Sequence, residues 1–280
     1  MTHEAGPTHV TSDGGDDPAQ GWVREQARHD RMLAAYGRLL LAAADLRPGR
    51  VVVDVGCGTG ETTVAAALAV APGGRVVGID ASEVMLVAAR RRAEASAAGN
   101  VHFVHADAED HKMRRARADV ILSRFGTLHF LDPAGAFANL REALVPGGRL
   151  CFTAWAEEAA NAWSTIPRRV LAGHVPHASP HGHADGPFGF ADPDRIRQVL
   201  ADAGYVDVRV SRSDEAVWVG ADRADAVSFF LATASKALRD ADEATAAAVG
   251  RELGAALDPF VGPDGVVLPA AAWIVTASGA

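Results

Sequence analysis

Val51-Val-Val-Asp54-Val-Gly56-Cys57-Gly58-Thr59-Gly60-Glu61 is the stretch on which the fold turns. Its opening apolar run, interrupted only by Asp54, reads as a strand of a parallel sheet covered on both faces. The glycines that follow let the backbone turn tightly and approach a ligand closely. A strand, a glycine turn and a helix in this order bind adenosine-containing cofactors at the strand end. The dinucleotide version requires G-x-G-x-x-G, with a pyrophosphate on the helix N-terminus. Here the third glycine comes one residue early, and Glu61 stands where that glycine belongs. Asp54 and Glu61 would also repel a pyrophosphate, whereas carboxylates attract a sulfonium and an ammonium. Spacing and charge together favour S-adenosylmethionine, the alternative being a structural turn that binds nothing.

The next apolar run, Arg75-Val76-Val77-Gly78-Ile79-Asp80, reads as the second strand. An acid at its end, about 20 residues beyond the turn, can accept both hydroxyls of a ribose. Asp80 could instead cap the helix that starts near Ser82, but Ser82 is itself a good cap, which frees Asp80 for a ligand.

Asp54 to Gly60, Asp80, Asp107-Ala108 and the turn Pro146-Gly-Gly-Arg-Leu150 together resemble a class I S-adenosylmethionine-dependent methyltransferase. Ser123-Arg124-Phe125-Gly126, Asp132-Pro133 and Phe190-Ala-Asp192-Pro193 are similar to its quinone-methyltransferase-like branch, common in actinobacteria. The resemblance runs from about residue 22 to the C-terminus and is strongest from Val51 to Trp155. It implies an α/β fold: a Rossmann-like, doubly wound, seven-stranded and mostly parallel sheet with N-terminal helices and lid insertions, its last strands antiparallel. It also implies a cofactor-binding set. Gly56, Gly58 and Gly60, with Asp54 and Cys57 in the same turn, admit the methionine and ribose portions, and Asp80 with Ala81 holds the ribose. Asp107 accepts from the adenine amino group, or else caps a turn in the polar run after it. Ala108 offers its backbone amide to the ring, and Ser123 lies near the methionine moiety. Three roles stay open for Arg124: a clamp on the cofactor carboxylate, a clamp on a substrate anion, or a structural ion pair.

With 280 residues, 49% of them apolar, the chain can bury one large core. The expected organisation is a disordered leader over residues 1–20, rich in Gly, Pro, Asp and Thr, followed by a single methyltransferase domain over 21–280. A net charge of -8 without a lysine-arginine stripe argues against nucleic acid as a partner. No run approaches the roughly 20 apolar residues that span a bilayer, and the start lacks a secretory pattern, so a cytoplasmic location is expected. Cys57 and Cys151 have no metal-ligand spacing and read as small buried residues. The oligomeric state is left open, a homodimer included.

Helical spacing from Trp22 to Asp45 predicts one or two helices before the first strand. Pro48-Gly49-Arg50, Pro72-Gly-Gly-Arg75 and Pro146-Gly-Gly-Arg149 each punctuate the chain ahead of an apolar run, as repeated βα units require. A helix from Ser82 to Ala98 should close at Gly99. Others should open at Asp132-Pro133 and Asp192-Pro193, where Asp caps and Pro fits the first turn. The last strands are expected at Tyr205 to Ser211 and Ala271 to Ala277. Segments 157–190 and 217–268 break the alternation and are expected to be lids shaping the acceptor pocket.

Methyl transfer from a sulfonium is an in-line displacement, helped mainly by alignment in a dry pocket. An imidazole can take the acceptor's proton, and His129, just past the fourth strand, is the best-placed histidine, either as catalytic base or as a packed side chain. His174, His177, His181 and His183 crowd into one Pro- and Gly-rich loop, but their spacing is irregular and no metal site is expected. Trp22, Met32, Tyr36, Phe188 and Phe190 can cover an apolar acceptor or, as is more usual, belong to the core. The leading reading is methyl transfer to a small-molecule acceptor, as in natural-product biosynthesis. The alternatives are a non-methylating cyclisation or rearrangement on the same cofactor, or a non-catalytic cofactor-binding partner protein.

Overall fold

A computed structural model describes residues 18–113, 117–175 and 186–279. The expected leader therefore falls outside the described residues up to position 17, while Pro18 to Gln20 already belong to the first helix. Two helices, α1 (Pro18–Arg24) and α2 (Gln26–Ala44), precede the sheet. β1 (Val51–Val55), α3 (Glu61–Val70), β2 (Arg75–Asp80), α4 (Glu83–Ala95) and β3 (Val101–His105) then alternate. After a crossover come β4 (Ala118–Arg124), α5 (Pro133–Ala143) and β5 (Leu144–Trp155). The C-terminal part holds α6 (Ala162–His174), α7 (Pro193–Asp202), β6 (Tyr205–Gly220), α8 (Arg223–Thr233), α9 (Glu243–Leu257), β7 (Val261–Gly262) and β8 (Gly265–Gly279).

The strand order is β3-β2-β1-β4-β5-β8-β6, with β7 hooked onto β8. The first five strands pair in parallel, and β8 runs antiparallel to both β5 and β6. This is the expected seven-strand path plus one two-residue strand. Because side chains alternate across a strand, Val52, Val120 and Leu122 join α2 and α3 on one face. Val53, Val55 and Ile121 join Phe137, Leu140, Ile196 and Leu200 of α5 and α7 on the other. Both proline-opened helices are capped as expected: Asp132 accepts from the Gly135 amide, and Asp192 from the Asp194 amide.

Two expectations need correction. Helix α4 ends at Ala95, before Gly99, because Ala97 takes the left-handed conformation (φ 52°) and the Ala98 amide closes onto the Ala93 carbonyl. The last strands, expected at Tyr205 to Ser211 and Ala271 to Ala277, are longer, and the segment 217–268 expected as a second lid holds their ends together with α8 and α9. β6 continues to Gly220 and β8 begins at Gly265, pairing along almost their whole length. The polar run Arg212-Ser-Asp-Glu215 lies within β6, where Arg212 bridges Glu157 and Asp214. The ribbon projects past β5 and is covered by α6, α8 and α9, whose Val170, Phe230, Val249 and Leu253 pack with Val217 and Leu268. Met32, Leu33 and Tyr36 of α2 join this cluster, while Leu40 and Ala44 lie in the core beneath the sheet. Arg28 adds a polar clip, donating to the Val219 carbonyl (2.8 Å) and to Asp225 (2.6 Å). Among the described residues no helix is long and apolar enough to cross a membrane.

Candidate active site

The strand order reverses between β1 and β4, so the crevice beyond their C-terminal ends is where an open α/β sheet takes its ligand. The two strand ends touch backbone on backbone. A Cβ added to Gly56 (φ 64°) would stand 2.6 Å from the Gly126 Cα, so only glycine allows this approach. Gly58 differs: its φ is also positive (54°), but a Cβ there would meet nothing within 4 Å. The turn is thus closed against the protein at Gly56 and open at Gly58.

Asp80 lies at the end of β2 beside that opening. Its carboxylate accepts from the Gly58 amide (2.8 Å) and from the Ser82 amide (2.9 Å). Ser82 does cap α4, accepting from the Met85 amide, but Asp80 is not freed by it as the sequence suggested. Each oxygen nevertheless keeps acceptor capacity for a ribose hydroxyl. The same geometry explains the exclusion of phosphate, since the amide a pyrophosphate would seek already faces a carboxylate. Ala81 continues this loop, its carbonyl 3.0 Å from His105 Nε2.

Asp54 is 1% exposed, and its Oδ2 accepts from Thr63 Oγ1 at 2.6 Å. Its Oδ1 has no hydrogen-bond partner among the described residues. Burial pushes its pKa up to about 7, while the Thr63 hydroxyl and the Arg124 charge pull the other way. The negative charge at the mouth of the turn therefore comes from Asp80 and Glu61 more than from Asp54. Glu61 accepts from Arg124 Nη1 at 2.5 Å. Cys57 is a packing residue: it is buried, its thiol is pushed well above its ordinary range by that burial, and its amide donates to the Ile79 carbonyl.

Two further candidates have contrasting surroundings. Ser123 is fully buried, donates to the Val55 carbonyl (2.7 Å) and accepts from the Thr127 amide (3.2 Å). Its hydroxyl thus pins β4 to β1 at the strand end. Asp107 is exposed just beyond β3, and one of its oxygens accepts from the Glu109 amide (3.0 Å), the turn contact weighed above. Its other oxygen makes no bond to a described residue, so the turn role and the adenine role are compatible. Ala108 is buried beside it, its carbonyl receiving the Asn139 amide nitrogen.

His129 ends a short 3-10 turn, Gly126 to His129, and is exposed. Phe125, which precedes this turn, holds φ at 62°, a left-handed conformation rare for a bulky residue. Its amide donates to Thr153 Oγ1, and its ring stacks on Trp155 at 4.1 Å. Met32, Tyr36 and Phe190 are core residues, Trp22 stacks on His29, and Phe188 is half-buried against Trp163. His174 is paired with Glu252 of α9 at 2.8 Å. His177, His181 and His183 lie outside the described residues, among which no group of three metal-type side chains converges.

Sequence reasoning missed Glu109 and Arg92. Glu109 accepts from the Leu131 and Asp132 amides (2.8 and 2.7 Å), tying the loop after β3 to the one that carries His129. Arg92 on α4 donates to the Thr59 carbonyl (2.9 Å) and to Asp30 of α2 (2.5 Å), anchoring the N-terminal helices to the glycine turn. Neither residue belongs to a motif, because each bridges loops that only the fold brings together.

An open glycine face, a ribose-height carboxylate and a buried carboxylate oxygen without a partner suit an adenosine cofactor that carries positive charge. The fold and this site define a class I methyltransferase domain, and residues 52–148 match the family profile described as a methyltransferase domain. The chain thus contains an S-adenosylmethionine-dependent methyltransferase domain, and S-adenosylmethionine is its cofactor. It is similar to nocamycin O-methyltransferase of Saccharothrix syringae, 32% identical over 186 residues, which cover 63% of this chain and 66% of that protein. It is also similar to the ubiquinone/menaquinone biosynthesis C-methyltransferase of Ectopseudomonas mendocina, 37% identical over 41% of this chain and 45% of the relative. Across the first curated relatives the matched region spans between 33% and 66% of their length. Among solved structures, an S-adenosylmethionine-dependent methyltransferase from Aquifex aeolicus superposes with a TM-score of 0.56 at 16% identity, covering 95% of this chain and all of that one. A Haemonchus contortus phosphoethanolamine N-methyltransferase 2 in complex with S-adenosylmethionine gives 0.57 at 15% identity, covering 95% and 60%. At these identities the superpositions speak for the fold.

Proposed function

We propose that this chain transfers the methyl group of S-adenosylmethionine to a small-molecule acceptor, in the cytoplasm and within specialised metabolism. The observation that carries this reading is the glycine turn, open at Gly58 and backed by Asp80, at the switch point of the sheet. The likeness to nocamycin O-methyltransferase supports a natural-product acceptor. A net charge of -8 fits a small-molecule partner better than a polyanion.

When bound, S-adenosylmethionine supplies an electrophilic methyl on a sulfonium. The chain's part is to position, to exclude water and to move a proton. Gly56, Gly58 and Gly60 shape the turn, Asp80 takes the ribose and Asp107 takes the adenine edge. The rigid Phe125 and Trp155 stack supplies a dry wall beside the strand ends. His129, exposed on the turn after β4, takes the proton of a hydroxyl or acidic carbon. The test is to incubate the protein with methyl-labelled donor and a producer extract and follow label into a small molecule. Transfer is expected, and donor bound without any transfer or turnover would contradict the proposal. His129→Ala should lower turnover about 100-fold or more at neutral pH. Wild-type rates in that variant at neutral and mildly acid pH would remove His129 from the mechanism.

A further inference from the structure

Glu109 lies two residues past Asp107 in the loop between β3 and β4, and its carboxylate reaches out of that loop. Its two oxygens accept separately from consecutive backbone amides, those of Leu131 (2.8 Å) and Asp132 (2.7 Å). A carboxylate that takes one N–H on each oxygen fixes direction as well as distance, and its charge makes each bond about twice as strong as a neutral one. Core packing does not demand this contact, since Glu109 is half-buried and Leu131 is 80% exposed.

Each side of the contact is itself anchored. On the β3 side the Glu109 amide donates to Asp107 Oδ1 (3.0 Å), and the His111 amide donates to the Asp107 carbonyl (2.9 Å). Buried Asn139 of α5 turns its amide nitrogen to the Ala108, Glu109 and His111 carbonyls. Asp107 and Glu109 thus belong to one hydrogen-bonded piece of backbone. On the β4 side the upstream end of the His129 turn is fixed by the Thr127 amide on Ser123 and the Phe125 amide on Thr153. Its downstream end runs through Phe130 and Leu131 into the Asp132 cap of α5, and Glu109 holds it there from another loop. His129 stands between these two fixings.

Resting on the roles proposed above for Asp107 and His129, we infer that Glu109 is a positioning residue that couples adenine at Asp107 to the placement of His129. Adenine on the Asp107 oxygen that Glu109 does not use orders the backbone carrying Glu109. Glu109 then holds the Leu131 and Asp132 amides and keeps His129 at the acceptor. The coupling is reciprocal: the factor by which a nucleoside favours this latch is the factor by which the latch favours the nucleoside.

The test is amide hydrogen exchange of the full chain, alone, with S-adenosylhomocysteine, and with 5′-methylthioadenosine, which keeps the adenosine but lacks the amino acid. Both nucleosides should slow exchange at Leu131 and Asp132 about tenfold, and calorimetry should show Glu109→Ala binding each about tenfold more weakly. The amides of β1 and β4 should stay protected in that variant, which separates loss of the latch from loss of the fold. At saturating donor, adding Glu109→Ala to His129→Ala should lower methyl transfer no further than His129→Ala alone, because both act on one group. Bound nucleoside that leaves the two amides unchanged, wild-type affinity in Glu109→Ala, or a further multiplicative loss in the double variant would overturn the inference. If Glu109→Ala does not fold, Glu109→Gln keeps one carbonyl acceptor and should weaken both nucleosides about fivefold, and unchanged affinity there overturns it equally. A wild-type chain that binds neither nucleoside would refute the reading beneath the inference, whereas binding without protection refutes the inference alone.

Discussion

The parallel half of the sheet and the antiparallel ribbon with its helical cap are held together by different physics. At the ends of β1, β2 and β4, polar contacts are added to the apolar cores on both faces: Asp80 on the Gly58 amide, Ser123 on the Val55 carbonyl, Thr63 on the buried Asp54. Under α6, α8 and α9 apolar packing dominates, with the Arg28 clip and the His174–Glu252 pair at its edges, and α2 spans both halves. Hydrogen-bonded turns tolerate few residue types, whereas apolar packing accepts many of similar volume. The cofactor site therefore occupies the constrained half, and acceptor specificity is free to vary in the packed half.

Breaking the polar half should have the largest effect. Gly56→Ala drives a Cβ into the Gly126 backbone at a positive φ, and should cost about 3 kcal/mol in urea unfolding and abolish S-adenosylhomocysteine binding. Cutting the apolar half should separate stability from ligand binding. Leu253→Ala, at a fully packed position of α9, should also cost about 3 kcal/mol, yet leave cofactor affinity within about threefold.

Acidity divides the halves next. Asp54, raised to about 7 by burial, gives a folded state that binds more protons than the unfolded chain between about pH 4 and 7, so it lowers stability as pH rises through that window. His29, pressed between Trp22 and Phe229 and lowered to about 4 by burial, does the opposite, losing stability as pH falls from about 6.5 to 4. The two slopes nearly cancel between about pH 4 and 6.5. Asp54→Asn should expose a stability that rises with pH there, and His29→Asn one that falls, each by roughly 1.4 kcal/mol per pH unit. Denaturant midpoints across that range check both signs.

Asp80→Asn should weaken S-adenosylhomocysteine and 5′-methylthioadenosine alike, about tenfold, because the ribose is common to both. The smallest effect belongs to Trp22→Ala, which undocks α1 from His29 at under about 1 kcal/mol and leaves binding unchanged.

The sequence made the parallel half legible because each strand end there carries its own signature. The glycine spacing, Asp80 and the Asp-Pro caps each say locally what the chain does. Local signals are silent where a side chain's contacts depend on a distant partner: Ser123 donates to the Val55 carbonyl, and Glu109 reaches the amides after Phe130. They fell short again along β6, which was expected to end at Ser211 but pairs with β8 as far as Gly220. The cap helices were unreadable as a unit, since their shared core joins residues from seven elements and no motif spans them.

The most direct measurement is calorimetric titration of the wild-type chain with S-adenosylhomocysteine and, separately, with NADH. A glycine turn whose Gly58 amide is taken by Asp80 predicts saturable binding of the thioether nucleoside and no heat with the dinucleotide. Tight uptake of NADH, with S-adenosylhomocysteine silent, would contradict it.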